Sequence, residues 1–123
     1  YQISSGIKQL TEDQTFVARE IKLGRMTPEQ AKIDKRRNLL LQCVGASKAV
    51  RPQILRGKTE KGSFVICSDG FRHEISEDEI CQNLSPINLV DKIAMHTRTK
   101  ALIELVKSRR ERDNITAVVI KVS

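Results

Sequence analysis

Two aspartates stand at the ends of the most apolar stretches of the chain. Asp69 follows Phe64-Val65-Ile66-Cys67-Ser68, and Asp113 precedes Asn114-Ile115-Thr116-Ala117-Val118-Val119. Carboxylates at neighbouring strand ends offer hard oxygen donors. Such donors suit Mg²⁺ or Mn²⁺, ions that keep several waters and need few protein ligands. Gly70 lets the backbone turn away without a Cβ clash, and Asn114 can hold its turn by local hydrogen bonding. Asp-Gly and Asp-Asn also form ordinary turns, so the pair alone leaves turn formation and metal binding both open. His73 and His96 are isolated and read as ordinary surface or half-buried residues. Cys43, Cys67 and Cys81 are odd in number and too widely spaced for a zinc site or a Cys-x-x-Cys redox pair. They read as inert small hydrophobes in a reducing, cytoplasmic setting.

The chain that must position these residues has 123 of them, the size of one small domain. Lys and Arg number 22 against 15 Asp and Glu, giving net charge +7. That excess favours solubility and an anionic partner without choosing among phosphate, nucleic acid and acidic membrane. Aromatic residues make up 3% and Trp is absent, which removes most of the stacking platforms of single-strand nucleic-acid binders. No apolar stretch approaches the ~20 residues of a membrane span.

Residues 1–10 read as a hairpin turning at Ser4-Ser5-Gly6. Tyr1-Gln2-Ile3 alternates like a strand in progress and has no initiating Met, so the chain is expected to start mid-domain. Thr11, Glu12 and Asp13 supply a cap and acidic first turn for a helix bearing Phe16, Val17 and Ile21 and ending at Gly24. Thr27-Pro28-Glu29 opens a second, short helix. The run from Asn38 to Val44 does not decide between helix and strand. Pro52–Gly57 is expected to be a strand, and Ser63–Cys67 a central strand covered on both faces. Ser76 caps a helix to about Leu84, Ser85-Pro86 punctuates, and Ala101, Leu102, Leu105 and Val106 form the stripe of a helix ending near Arg110. A β-branched strand from Ile115 to Val122 closes the chain.

Phe64 through Gly70 resembles the Ser-Asp-Gly strand of the metal-dependent serine/threonine protein phosphatases, the PPM or type 2C family. Arg112-Asp113-Asn114-Ile115-Thr116 resembles that family's Asp-Asn-Ile-Thr closing strand. Three further segments match in order: Leu10-Thr11-Glu12-Asp13, the bacterial flap segment Met26-Thr27-Pro28-Glu29-Gln30-Ala31, and Arg37-Asn38-Leu39 through Gly45. Gln14 departs from the family's usual His, and Asp34-Lys35-Arg36 from a frequent His-Pro.

The resemblance implies an α+β fold, the C-terminal half of an αββα sandwich of two antiparallel sheets flanked by helices. Its parts would be a hairpin (1–10), a helical flap segment (11–45), strands (50–69), helices (76–110) and a closing strand (115–122). It implies metal ligation by Asp69 and Asp113, with Gly70 and Asn114 supporting them, and a substrate flap carrying Thr27, Lys35 and Arg36. The cofactors would be two, at most three, Mn²⁺ or Mg²⁺ ions bridging a hydroxide that attacks phosphoserine or phosphothreonine. The implied substrate is a phosphoprotein, and the implied enzyme opposes a serine/threonine kinase.

The family's other ligands and its phosphate-binding Arg lie upstream of such a segment, so no complete catalytic set is expected within these residues. The chain alone is expected to be inactive, and to pair with the N-terminal half or exchange strands with a second copy. Two other readings are kept beside this one: a noncatalytic phosphatase-like scaffold, and a basic nucleic-acid-binding module resting on Lys107–Arg112 and Lys35-Arg36-Arg37.

Overall fold

A computed structural model describes all residues, 1–123. In chain order the elements are β1 (Gln2–Ile3), β2 (Ile7–Lys8), α1 (Phe16–Lys22), α2 (Pro28–Ile33), β3 (Gly62–Cys67), α3 (Asp69–Arg72), α4 (Glu77–Leu84), α5 (Lys92–Ser108) and β4 (Ala117–Val122). They fall into two units, one formed by Tyr1–Leu10 with Gly57–Ser123 and the other by Thr11–Arg56.

The first unit is an antiparallel sheet, ordered β2-β1-β3-β4, with helices packed on it. The pairing of β3 with β4 sets Val65 opposite Val119 and Cys67 opposite Ala117, while Phe64 lies opposite Ile120 and Ile66 opposite Val118. Because successive side chains alternate between faces, Val65, Cys67, Ala117 and Val119 all point to one side. That side joins a core of Ile3, Val65, Phe71, Ile75, Ile80, Leu84, Leu89, Leu102 and Val106. Ile80 and Leu84, like Leu102 and Val106, are four apart on their helices, the spacing that puts both on one buried face. Each such side chain contributes roughly 1.5–3 kcal/mol on burial. Ser63 is also fully buried, and its hydroxyl donates to the Leu84 carbonyl, an end group of α4 without a helical partner.

The opposite face of β3 and β4 is open. Ile66 is 63% exposed, Val118 50% and Ile120 46%. β3 is therefore central in strand order, as expected, but only one of its faces is covered. Its apolar character on both sides does not correspond to two covered faces within this chain.

The helix starts follow cap chemistry. Ser76 accepts from the Glu79 amide at 3.2 Å, and Glu79 returns to the Ser76 amide at 2.9 Å. This reciprocal capping box accounts for the expected beginning of α4. Asp91 caps α5 by accepting from the Ala94 amide at 2.7 Å. The α5 stripe is Leu102, Leu105 and Val106, with Ala101 left exposed.

Arg109, just past α5, donates to Glu79 at 2.9 Å and to the Glu74 carbonyl at 2.7 Å, joining the end of α5 to the start of α4. The Arg109 guanidinium first, and the Ser76 amide second, hold the Glu79 carboxyl at about 2, below its ordinary 4.5. A depressed carboxyl stabilises the fold when ionised. That contribution is present above about pH 4.5 and fades as pH falls toward about 2. The pair is partly exposed, so the effect is modest. Thermal midpoints are expected to fall through this window, and Glu79→Gln to flatten part of the fall. Parallel wild-type and variant curves would remove the pair from the acid response.

In the second unit, α1 begins four residues later than the Thr11 cap predicts. Thr15 is the cap, accepting from the Ala18 amide at 3.2 Å. The competing interaction is a short antiparallel bridge: Phe16 donates to the Leu39 carbonyl and Leu41 to the Gln14 carbonyl, each at 2.8 Å. This bridge extends Gln14 and Thr15, and it is also what becomes of the ambiguous run from Asn38 to Val44. The helix stops near Gly24 as expected, with Gly24 at φ +69°, where glycine avoids the Cβ penalty. Thr27 and Pro28 open α2 as read, and Gln30 completes a capping box with Thr27.

Pro52–Gly57 is not a strand. Its residues are exposed, with Ile54 at 72%, and Gln53 accepts from the Glu12 amide at 2.9 Å. Pro52 has no amide to give a ladder, and no neighbouring strand pairs with the segment. The 50–69 strand region thus contains only β3. Cys43 is exposed, against the expectation of a small core hydrophobe, whereas Cys67 and Cys81 are half-buried, and none of the three is in a disulfide.

Candidate functional site

Asp69 opens α3, a single turn of helix entered directly from β3, and Asp113 lies in the connection from α5 to β4. The β3–β4 pairing continues past its last strand pair in a way that joins these segments. The Ser68 amide donates to the Thr116 carbonyl at 3.0 Å, and the Thr116 amide donates to Ser68 Oγ at 3.1 Å. Ser68 Oγ itself donates to the Asn114 carbonyl at 2.9 Å.

Gly70 then packs closely against the Asn114 carbonyl and the Asp113 Cβ. A Cβ at Gly70 would collide with the Asn114 carbonyl oxygen and stand 3.2 Å from both Asn114 C and Asp113 Cβ. The close approach of the two aspartate-bearing segments therefore requires a residue without a side chain at position 70.

Each aspartate is held locally. Asp69 Oδ1 accepts from the Gly70 amide at 2.9 Å, and Asp113 Oδ1 from the Asn114 amide at 2.7 Å. Asp69, Asp113 and Asn114 are exposed, whereas Gly70 and Phe71 are buried. Phe71, at 0% exposure, anchors the α3 turn in the core two residues after Asp69. Asn114 links the segments through its backbone, donating its amide to Asp113 and accepting from Ser68 at its carbonyl.

Glu111 is a further component that the sequence did not single out. Its Oε1 accepts from the Arg112 and Asp113 amides, each at 2.8 Å, and its Oε2 lies 3.3 Å from His73 Nδ1. The Asp113 amide first, then the Arg112 amide and His73, hold its carboxyl below the usual range against the opposing effect of desolvation. The turn that delivers Glu111 places Arg110 at φ 67°, a left-handed conformation usually given to glycine after a helix. The only clue in the sequence was a Glu amid basic residues, Arg109-Arg110-Glu111-Arg112, a pattern equally common on solvated helix ends.

Two exposed carboxylates on adjoining backbone segments have the donor type that Mg²⁺ or Mn²⁺ prefers. No cluster of three or more His, Cys, Asp or Glu able to hold a metal occurs in the chain.

The flap residues take defined places within their own unit. Thr27 is engaged as the α2 cap. Arg36 makes a two-pronged pair with Asp34, at 3.0 and 2.9 Å, and stacks 4.2 Å over the Phe16 ring. Lys35 is exposed. Arg36 is thus held by its own unit, while Lys35 projects its charge to solvent.

The sequence matches no family model. Across 112 residues, 90% of the chain, it is 32% identical to a protein of Streptococcus pyogenes that carries a protein phosphatase 2C-type name, covering 44% of that protein. It is 30% identical over 117 residues to protein phosphatase PhpP of Streptococcus pneumoniae, covering 45% of it. Among solved structures, serine/threonine phosphatase Stp1 of Staphylococcus aureus superposes with a TM-score of 0.83 at 26% identity, over 100% of this chain and 47% of that one. A serine/threonine phosphatase of S. agalactiae gives 0.82 at 28% identity, over 95% of this chain and 47% of that one. The chain spans about half the length of these relatives.

Proposed function

We propose, from the premise that this chain is a relative of the bacterial type 2C, or PPM, serine/threonine phosphatases, that it supplies the Asp69 and Asp113 part of a metal-dependent phosphatase site. The observation that carries the reading is the fit of Gly70 against the Asn114 carbonyl and Asp113 Cβ, which brings two exposed carboxylate-bearing segments together at a β-strand end. Asp69 and Asp113 would hold Mn²⁺ or Mg²⁺, which when bound supplies Lewis acidity and an activated water for attack on phosphorus. Asn114 and Ser68 keep the two segments in register, and Phe71 fixes the α3 turn to the core. The substrate class is phosphoserine and phosphothreonine in proteins, placing the enzyme opposite a serine/threonine kinase.

Two carboxylates cannot by themselves set a pair of ions a few ångströms apart, so the rest of the site comes from outside these residues. The open face bearing Ile66, Val118 and Ile120 is the natural contact for a second sheet, completing a two-sheet sandwich.

The test is phosphate release from a phosphothreonine peptide by the intact protein that carries this chain, and by residues 1–123 alone. The intact protein should turn over with Mn²⁺ and stop with a chelator, and residues 1–123 should show no turnover. Metal-independent turnover by the intact protein would refute the reading. Turnover by residues 1–123 that Asp69→Asn abolishes would refute the division of the site.

A further inference from the structure

We propose that Glu111 and His73 form a clamp that positions Asp113 relative to Asp69, making Glu111 a positioning residue for metal binding; this rests on the metal-site reading above. The connection from α5 to β4 is exposed from Ser108 to Asn114 with one exception. That exception is Glu111, whose side chain is only 9% exposed. A carboxylate is withdrawn from water in a surface loop only when its hydrogen bonds are replaced.

Here the replacements are directional. Oε1 gathers the Arg112 and Asp113 amides at 2.8 Å each, fixing the backbone from which the Asp113 side chain springs. Oε2 faces His73 Nδ1 at 3.3 Å. The His73 amide in turn donates to the Asp69 carbonyl at 3.0 Å. A continuous path therefore runs from the Asp113 amide through Glu111 and His73 to the Asp69 backbone.

This path is independent of the strand-side contacts made by Ser68 and Gly70. The two aspartate segments are thus tied together twice, once through the sheet and once through the helix side. The strand tie fixes how closely the segments approach. The Glu111 tie fixes the direction in which Asp113 leaves its loop, since it grips the Asp113 amide itself. Groups that orient a metal ligand typically change metal affinity about 10- to 100-fold when removed. The amide cradle needs only an acceptor oxygen, so glutamine can serve it, whereas alanine cannot.

The experiment measures Mn²⁺ affinity by water-proton relaxation, together with amide hydrogen exchange, in the intact protein. Glu111→Ala should weaken Mn²⁺ binding by about tenfold or more and speed exchange at the Arg112 and Asp113 amides. Glu111→Gln should recover most of both, and His73→Ala should show a smaller loss of affinity. Each variant should melt within a few degrees of wild type.

Glu111→Ala binding Mn²⁺ as wild type does, or Glu111→Gln as impaired as Glu111→Ala, would overturn the positioning role. If Glu111→Ala does not fold, unchanged affinity in both His73→Ala and Glu111→Gln supports the amide cradle but overturns the clamp through His73. Wild-type protein binding Mn²⁺ no better than Asp113→Asn would instead overturn the metal reading, while exchange at the two amides still decides whether Glu111 holds the loop.

Discussion

Gly70→Ala is expected to destabilise the fold by about 1–3 kcal/mol and to weaken Mn²⁺ binding sharply, although alanine is the better helix former. The two effects at this position oppose each other. Gly70 lies in α3, where its replacement by alanine is worth up to ~1 kcal/mol in helix propensity. Against that, the new Cβ would meet the Asn114 carbonyl oxygen and crowd Asp113 Cβ. Both obstacles are fixed from two directions, by the Ser68 Oγ bond to the Asn114 carbonyl and by Glu111 at the Asp113 amide. Neither is the free end of a flexible side chain, so relief requires the two segments to separate, and steric cost prevails. Gly6→Ala is the control, because nothing lies within 4 Å of a Cβ there; its effect should stay within about 0.5 kcal/mol. Chemical denaturation of both variants checks the difference. Equal stability and equal Mn²⁺ affinity for Gly70→Ala and wild type would mean that the close approach at position 70 does not matter.

The helices were legible where their ends carry side-chain chemistry. Thr27 and Ser76 start helices where their hydroxyls can accept from an amide three residues on, an interaction written within a few residues. The start of α1 was misplaced because the deciding contact is not local. Thr11 is as good a cap as Thr15, and the bridge from Gln14 and Phe16 to Leu39 and Leu41 favours the latter. Pro52–Gly57 failed for a related reason. Ile54 and Leu55 have strand composition, but a strand is defined by a partner, and none is present for them.

At the candidate site, the position of Asp69 and Asp113 at the ends of apolar strands was legible, whereas a ligand role for them rests on the family resemblance. The contact between Glu111 and His73 was not legible, because it depends on the Arg110 turn and the α3 turn bringing remote side chains together. The both-faced apolar pattern of β3 was read correctly as a pattern, yet its second face lacks cover here: Ile66 remains 63% exposed. Composition records what a strand is suited to contact, and does not record whether that contact lies within the same chain.

Asp113→Asn and Asp69→Asn should separate ligand function from folding. Asparagine keeps a side-chain oxygen that can still accept from the following amide, so the local bonds to Asn114 and Gly70 are retained while the negative charge is removed. Both aspartates are exposed, and no buried packing changes with the substitution. Stability should therefore stay within about 0.5 kcal/mol of wild type. Metal affinity should respond very differently, because in the proposed site a neutral amide oxygen would replace one of the two anionic donors assigned to this chain. The loss in Mn²⁺ affinity should exceed the roughly 10- to 100-fold typical of removing a group that merely orients a ligand. Turnover in the intact protein should fall with it and recover poorly at high Mn²⁺. The measurement is a Mn²⁺ titration of activity and of water-proton relaxation for each variant beside Glu111→Gln. Should either Asn variant bind Mn²⁺ as tightly as wild type, that aspartate is a turn residue. The Ser68, Gly70 and Asn114 contacts would then serve the fold alone.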